Sequence, residues 1–78
     1  MARLRLFASI REAAGTNAAT VDGATVDEVV SGAIERFGHD FALLVPICRV
    51  WVNGEPAVGD DPVVADDEVA LLPPVSGG

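Results

Sequence analysis

Polar and apolar residues alternate near the start of the chain, where residues 3–7 read Arg-Leu-Arg-Leu-Phe. A period of two is typical of a strand with one buried face, so Leu4 and Leu6 are predicted to face the core. A short helical turn is predicted over residues 9–15, where glycine stops it. Residues 18–21 are predicted to return as a second strand, forming a hairpin with the first.

The clearest helix begins after Thr25 and ends at Gly38. Thr25 and Glu28 have the spacing of a capping box, in which each side chain accepts a hydrogen bond from the other's backbone N–H. The apolar residues that follow recur every three or four positions and form one stripe: Val26, Val29, Val30, Ala33, Ile34 and Phe37. Gly32 is predicted on the polar side, at a cost of ~1 kcal/mol relative to Ala.

The segment after this helix, residues 39–47, is apolar but shows no regular period. We predict an irregular connector whose larger side chains, Phe41, Leu43 and Leu44, fill gaps in the core. Without a period, the sequence gives no reason to expect a second long helix.

The last part of the chain predicts three strands and one tight turn. Residues 48–52 alternate as a strand, and Asn53-Gly54 favours a hairpin because both residues tolerate positive φ. The return strand over residues 55–58 should be short or at an edge, because Pro56 lacks an N–H. Residues 68–72 form the final predicted strand.

This order of elements predicts an α+β fold in two layers. One long helix can cover only one face of a sheet, so the sheet is expected to curve around it as in the ubiquitin-like β-grasp. A ferredoxin-like fold would need a second long helix. Residues 1–72 are predicted to form the domain, and residues 73–78 an extended C-terminal tail ending in Gly-Gly.

Composition narrows the classes of function. The 78 residues include twelve Asp and Glu against five Arg and no Lys, a net charge of −7, which argues against binding nucleic acids or anionic membranes. A single cysteine excludes an internal disulfide. No apolar run approaches the ~18 residues of a membrane span, and the N-terminus does not resemble a signal peptide. We therefore expect a cytoplasmic domain that acts with a partner.

Few side chains are candidates for chemistry in this sequence. His39 has no nucleophile beside it and is interpreted as a surface residue near a helix end. Cys48 shares the parity of buried strand positions and is predicted to be inert. The acidic pairs at 60–61 and 66–67 are interpreted as solvated turn residues, and no spacing predicts a metal site.

The C-terminal segment is the most informative stretch. Two prolines hold it extended, and its six residues, Pro73 to Gly78, can reach ~20 Å. Glycines without Cβ atoms can pass through a narrow channel in an enzyme, so Gly78 is predicted to react through its terminal carboxylate. The residues predicted to thread such a channel are Pro73, Pro74, Val75, Ser76 and Gly77. The alternative is a frayed terminus without function.

Strand parity also predicts an exposed face on the sheet. Phe7, Trp51 and Leu72 each point away from their buried neighbours, and Arg5 and Arg49 have the same parity. An apolar patch edged by arginine is typical of a docking surface. Alternatively, residues 39–47 could fold over this face and cover it.

Taken together, the chain resembles the MoaD/ThiS family of sulfur carriers, most closely its MoaD members, over essentially all 78 residues. The resemblance lies in the opening segment 6–15, in the Val-Asn-Gly turn at 52–54, and in the ending 67–78. The sequence Pro-Pro-Val-Ser-Gly-Gly is the most specific part, since ThiS proteins usually lack the double proline. Leu71-Leu72 departs from the aromatic pair typical of MoaD.

The resemblance implies a mechanism in which the chain is a carrier without catalytic side chains or bound cofactor. A MoeB-like adenylyltransferase would dock on the open face and use Mg-ATP to adenylate Gly78, and a sulfur donor system would convert it to a thiocarboxylate. A MoaE-like large subunit would complete a heterotetrameric molybdopterin synthase. The residues assigned to partner binding are Phe7, Arg11, Arg49, Trp51 and Leu72.

Three alternatives stay open. The carrier could serve thiamine, cysteine or another thiolated metabolite instead of molybdopterin. Gly78 could instead be joined to lysines of target proteins, as in a ubiquitin-like modifier, although the absence of lysine excludes chains linked through this protein's own side chains. The domain could also be a β-grasp interaction module with an idle tail.

Overall fold

A computed structural model describes residues 1–74, and in it five strands form one mixed sheet in the order β2-β1-β5-β3-β4. β1 and β5 are parallel, and the other neighbours are antiparallel. The strands are β1 (Ala2–Leu6), β2 (Ala18–Val21), β3 (Arg49–Val52), β4 (Glu55–Pro56) and β5 (Glu68–Leu72). The helices are α1 (Ala8–Ala14), α2 (Val26–Phe37) and α3 (His39–Leu44), with a 3-10 helix at Val45–Ile47. The predicted α+β class and ubiquitin-like β-grasp fold are confirmed.

The core lies between one face of the sheet and the helices. Leu4 and Leu6 of β1 are buried beside Val69 and Leu71 of β5, as the period of two predicted. The helices contribute further buried side chains to the same cluster: Ile10, Val26, Val29, Ala33 and Phe41. Because the helices cover only this face, they leave the other face of the sheet uncovered. No helix within residues 1–74 is long and apolar enough to cross a membrane.

The start of α2 is held by its own cap and by a distant loop. Thr25 Oγ1 accepts a hydrogen bond from the N–H of Glu28 at 3.2 Å, as predicted. The Glu28 carboxylate, however, accepts from the N–H of Ala24 at 3.0 Å and not from that of Thr25, so the reciprocal bond reaches one residue further. The N–H of Val26 donates to the carbonyl of Asp61, which fastens the loop after β4 to this helix end.

The prediction of an irregular connector after α2 was wrong. Gly38, with φ of 92°, ends α2, and a new helix, α3, starts at once. Phe41 is fully buried and its ring centroid lies 5.2 Å from that of Phe37, whereas Leu43 points outward and is 62% exposed. A short helix turns Phe41 and Leu44 toward the core because they are three residues apart, and it turns Leu43 away. Only two of the three predicted core residues therefore pack there.

Gly32 does not lie on the polar side of α2 as predicted. A Cβ atom at this position would lie 2.8 Å from Cγ1 of Val21, which is buried in β2. The helix can approach the sheet this closely only because position 32 carries no side chain.

We therefore expect Gly32→Ala to destabilise the protein, although alanine favours helix by ~1 kcal/mol. Overpacking in a filled core costs ~1–3 kcal/mol, which should exceed the gain in helix propensity. Urea unfolding should show a lower free energy of unfolding for this variant. Ser31→Ala, the adjacent exposed position, is the control and should be neutral or slightly stabilising. A stabilised Gly32→Ala variant would contradict the close approach.

Asp67 is a structural residue in the turn before β5, not merely a solvated acid. Its Oδ2 accepts from the N–H of Val64 at 2.9 Å, and its Oδ1 accepts from the side-chain amide of Asn53 at 2.8 Å. These hydrogen bonds, the backbone one first, lower the pKa of the Asp67 carboxyl below its usual value. Asn53 and Gly54 themselves form the predicted tight turn, with φ of 51° and 83°.

A lowered pKa in the folded state means that ionised Asp67 stabilises the fold. This stabilisation should be present at neutral pH, and it should be lost as the pH falls below the ordinary carboxyl range and through the lowered pKa. The free energy of unfolding, measured by urea unfolding at a series of decreasing pH values, should therefore fall less steeply in Asp67→Asn than in the wild type. Asp66→Asn removes the same charge at the adjacent position and is the control. Its free energy of unfolding should change with pH as steeply as that of the wild type.

Candidate functional site

The strand register places the predicted docking residues on the uncovered face of the sheet. Trp51 of β3 lies opposite Ala70 of β5, and Arg49 lies opposite Leu72. Directly paired residues point to the same side of a sheet, so these side chains share one face. Phe7, which follows β1, has the parity of Arg5, the partner of Ala70 on the other side of β5. The three central strands therefore build this face together.

At the centre of this face is a shallow apolar depression of about 370 Å³. It is lined by Phe7, Trp51, Gly54, Glu68, Ala70 and Leu72. Phe7 is 37% exposed, while Trp51 and Leu72 are half-buried. The alternative in which residues 39–47 cover this face is wrong, because α3 packs against α1 and α2 and buries Phe41 in the core. We call these lining residues the apolar depression.

Arg5 connects the apolar depression to its charged rim; its parity predicted its place on the open face, although it was not assigned to partner binding. Its guanidinium carbon lies 5.6 Å from the centre of the Phe7 ring, and its Nη1 lies 3.6 Å from a carboxylate oxygen of Glu68. The first contact is a cation–π interaction that favours one orientation of the ring. The second is an exposed ion pair, which contributes little to stability. Glu68 escaped the sequence analysis, although its parity with Leu72 could have identified it.

Charge is distributed unevenly between this face and the rest of the protein. Among the strand residues on the open face are three arginines, Arg3, Arg5 and Arg49, against one carboxylate, Glu68. The face therefore carries a surplus of positive charge, whereas the chain as a whole has a net charge of −7. A surface of this kind is complementary to an apolar patch with an acidic rim.

The last strand, β5, ends beside the apolar depression. β5 is the central strand of the sheet, paired with β1 on one side and β3 on the other as far as Leu72. Pro73 is buried and Pro74 is exposed, so packing continues one residue past β5. The other predicted tail residues, Val75, Ser76, Gly77 and Gly78, lie outside the described residues.

The remaining candidate residues do not line the apolar depression. Arg11 is exposed on α1, a helix whose Ile10 belongs to the core on the opposite side of the sheet. His39 is exposed at the start of α3. Cys48 is half-buried, its thiol donates to the carbonyl of Leu44 at 3.3 Å, and burial raises the pKa of that thiol. Within residues 1–74, His, Cys, Asp and Glu form no group of three or more that could hold a metal ion.

A β-grasp sheet with an open apolar face beside the end of its central strand is the architecture of ubiquitin-like carriers and modifiers. The ThiS family model matches residues 4–78, and the chain belongs to this family. The resemblance to MoaD/ThiS proteins seen in the sequence is thereby confirmed. The match also extends through the Gly-Gly pair that the sequence analysis singled out.

The chain is similar to a small archaeal modifier protein and to a chain of a BexX/CysO complex. The chain is 40% identical to small archaeal modifier protein 1 of Haloferax volcanii over 95% of this chain and 97% of that protein. A crystal structure of the Haloferax volcanii protein superposes with a TM-score of 0.84, at 32% identity, covering 99% of this chain and 98% of the other. A chain in the Amycolatopsis orientalis BexX/CysO complex superposes with a TM-score of 0.85, at 26% identity, with full coverage of both.

Proposed function

We propose that this protein is a sulfur carrier whose Gly78 carboxylate is activated by adenylation and converted to a thiocarboxylate. The observation that carries the proposal is the match of the ThiS family model from residue 4 through residue 78, including Gly77 and Gly78. The same activation step would serve several sulfur acceptors, so activation by itself does not determine the acceptor.

The geometry of the described residues supports activation by a partner bound to the open face. Leu72 lines the apolar depression, and Pro73 follows it directly in the chain. A partner that covers the depression therefore holds the point from which the tail starts. From there, residues 73–78 can extend ~20 Å, which is far enough to enter a neighbouring active site.

In the proposed chemistry, the terminal carboxylate of Gly78 is the only group of this chain that reacts. In the first step a Gly78 carboxylate oxygen attacks the α-phosphorus of Mg-ATP held by a MoeB-like enzyme, and pyrophosphate leaves. In the second step sulfide-level sulfur (HS⁻), delivered by the donor system, adds to the acyl carbon and loses its proton, and AMP leaves with the carbon–oxygen bond electrons. Adenylation is needed because a free carboxylate is a poor electrophile. The thiocarboxylate that results carries sulfur without release of sulfide.

The positive surplus on the open face supports a partner with an acidic rim around an apolar centre. Opposite charges steer association, and this effect weakens as salt screens it. We expect the association rate with the activating enzyme to fall as ionic strength rises. The relative in the BexX/CysO complex was crystallised with a protein partner, which supports a role in complexes.

For the acceptor, we propose the cyclic pyranopterin precursor of molybdopterin, reached through a MoaE-like large subunit. The support is the ending Pro73 to Gly78, whose double proline resembles MoaD more than ThiS. In this proposal two thiocarboxylates supply the two sulfurs of the dithiolene, and the heterotetramer holds two copies of each subunit.

A second candidate function, protein modification, is favoured by a specific observation. The relative that is 40% identical over nearly the whole chain is a small archaeal modifier protein. In this function a lysine amine of a target protein attacks the acyl carbon of adenylated Gly78 and loses a proton, AMP leaves, and an isopeptide bond is formed. Both candidates share the adenylation step and differ only in the nucleophile.

Mass spectrometry of the protein from its native cell tests the proposal. A C-terminal peptide in which sulfur replaces oxygen supports the carrier. Lysines of other proteins joined by an isopeptide bond to the C-terminal peptide of this chain, which follows Arg49 after trypsin cleavage, support the modifier. A chain that carries neither mark, under conditions where the pathway is active, would contradict both. The control is the same protein lacking Gly77 and Gly78, which should carry neither mark and should keep its thermal midpoint within a few degrees.

A further inference from the structure

The two outer edges of the sheet differ in how they are protected from further strand pairing. An edge strand presents unpaired N–H and C=O groups that can pair with another chain, and proteins block such edges in several ways. β2 and β4 are the edge strands here.

β2 is the edge with the larger number of outward groups. Its register pairs Ala19 with Leu4 and Val21 with Ala2, and the carbonyl of Asn17 accepts from the N–H of Leu6. Peptide groups alternate in direction along a strand, so Ala18 and Thr20 turn their N–H and C=O groups away from the sheet. These four groups form the β2 edge.

Two side chains engage three of these four groups. The Thr16 hydroxyl donates to the carbonyl of Ala18 at 3.0 Å and accepts from its N–H at 3.4 Å. The Arg36 guanidinium reaches across from α2 and donates to the carbonyl of Thr20 at 2.9 Å. A hydroxyl can donate and accept at once, so one side chain satisfies both groups of Ala18.

The opposite edge is protected by different means. β4 is two residues long, and the N–H of Ala57 donates inward to the carbonyl of Val50. By the same alternation Pro56 turns outward, where an N–H would be exposed, and proline has none. Within β4 itself, protection therefore comes from the short strand and the proline, and the N–H of Val58 beyond it donates to the Asp61 carboxylate at 2.9 Å. At the β2 edge, protection depends on two side chains that can be replaced.

We infer that Thr16 and Arg36 close the β2 edge, so that a second copy of this chain cannot extend the sheet there. Removing both side-chain contacts leaves four adjacent unpaired groups on a strand whose alanine and threonine side chains are small. Two copies can then pair antiparallel across a two-fold axis, because such a pairing is self-complementary. The inference is independent of the proposed sulfur chemistry.

The test compares self-association of the wild type with that of Thr16→Val/Arg36→Gln by sedimentation velocity over a range of protein concentrations. The buffer contains ~1 M NaCl, where the Debye length of ~3 Å suppresses repulsion between acidic chains. We expect the dimer dissociation constant of the double variant to be at least ~10-fold lower than that of the wild type. Hydrogen exchange at the Ala18 and Thr20 amides should slow as the concentration of this variant rises.

Two control variants distinguish the effect of opening the β2 edge from the effect of the changed net charge and from a loss of folding. Ser31→Asp changes the charge as Arg36→Gln does but leaves the edge contacts, and it should associate like the wild type. Thr16→Val/Arg36→Lys keeps a cationic donor for the Thr20 carbonyl and should associate less than the glutamine variant. If the double variant does not fold, the two single variants replace it. Each retains the other edge contact, so each should self-associate more than the wild type but less than expected for the double variant. Unchanged association, or dimers without protection at Ala18 and Thr20, would overturn the inference.

Discussion

One alanine added after Gly78 should reduce adenylation by the cognate activating enzyme by on the order of 100-fold or more. The extra residue moves the carboxylate ~3.3–3.6 Å along the path of the tail, and a misplacement of ~1 Å can cost ~100-fold in rate. The α-phosphorus of ATP would no longer lie within reach of the carboxylate oxygen. The measurement is ATP–pyrophosphate exchange, followed by detection of the thiocarboxylate.

Gly77→Val is a second variant, and it should also be adenylated poorly, but for a different reason. It leaves the carboxylate in its place in the chain but introduces a β-branched side chain, for which a channel that fits glycine has no room. Ser76→Ala keeps both the length and the final two glycines and is the matched control. It should be adenylated at close to the wild-type rate.

Both inactive variants should still compete with the wild type for the activating enzyme, because their apolar depression is unchanged. Competition without turnover would locate the defect in the tail and not in docking. The terminal-carboxylate mechanism would be wrong if the alanine-extended chain were thiolated at the wild-type rate. Its intact mass must then confirm that the added alanine is still present.

Local sequence patterns correctly predicted the parts of the fold in which the period of a strand or helix alone determines which residues are buried. The alternation in β1 was sufficient to place Leu4 and Leu6 in the core, because a strand exposes every second residue to each side. The stripe of α2 and the positive φ of Gly54 followed from equally local rules. These predictions needed no knowledge of which elements are neighbours.

Features that depend on two distant segments were missed or misjudged. The contact of Gly32 with Val21 requires the angle at which α2 approaches β2, which no helical pattern contains. The ion pair of Arg5 with Glu68 joins residues that are far apart in the chain and meet only because β1 and β5 pair in parallel. Register therefore determined which charged residues border the apolar depression.

The error at α3 has a local cause. Six residues provide fewer than two helical turns, so a stripe in His39–Leu44 consists of only two positions. An apolar run of this length cannot be distinguished from an irregular segment by its period. What makes it a helix is the stop at Gly38 together with the burial of Phe41 between α1, α2 and the sheet.

The open face and the core should respond to truncation in opposite ways. Trp51→Ala and Phe7→Ala should each weaken binding to the activating enzyme by more than ~1 kcal/mol, since aromatic side chains in an apolar patch are typical interface anchors. Leu6→Ala should instead destabilise the fold by ~2–5 kcal/mol, because Leu6 is 2% exposed and its removal leaves a cavity. Calorimetric titration measures the first effect and urea unfolding the second.

Val64→Ala is the control for loss of an exposed apolar side chain away from the depression. Val64 is 68% exposed in the turn before β5, so its truncation should change neither binding nor stability appreciably. Trp51 is half-buried, which allows some loss of stability in Trp51→Ala, but this loss should remain clearly below that of Leu6→Ala. Equal destabilisation by Trp51→Ala, Phe7→Ala and Leu6→Ala, with binding unchanged in the folded fraction, would show that these aromatic residues serve the core. In that case the activating enzyme would have to recognise another surface of the domain.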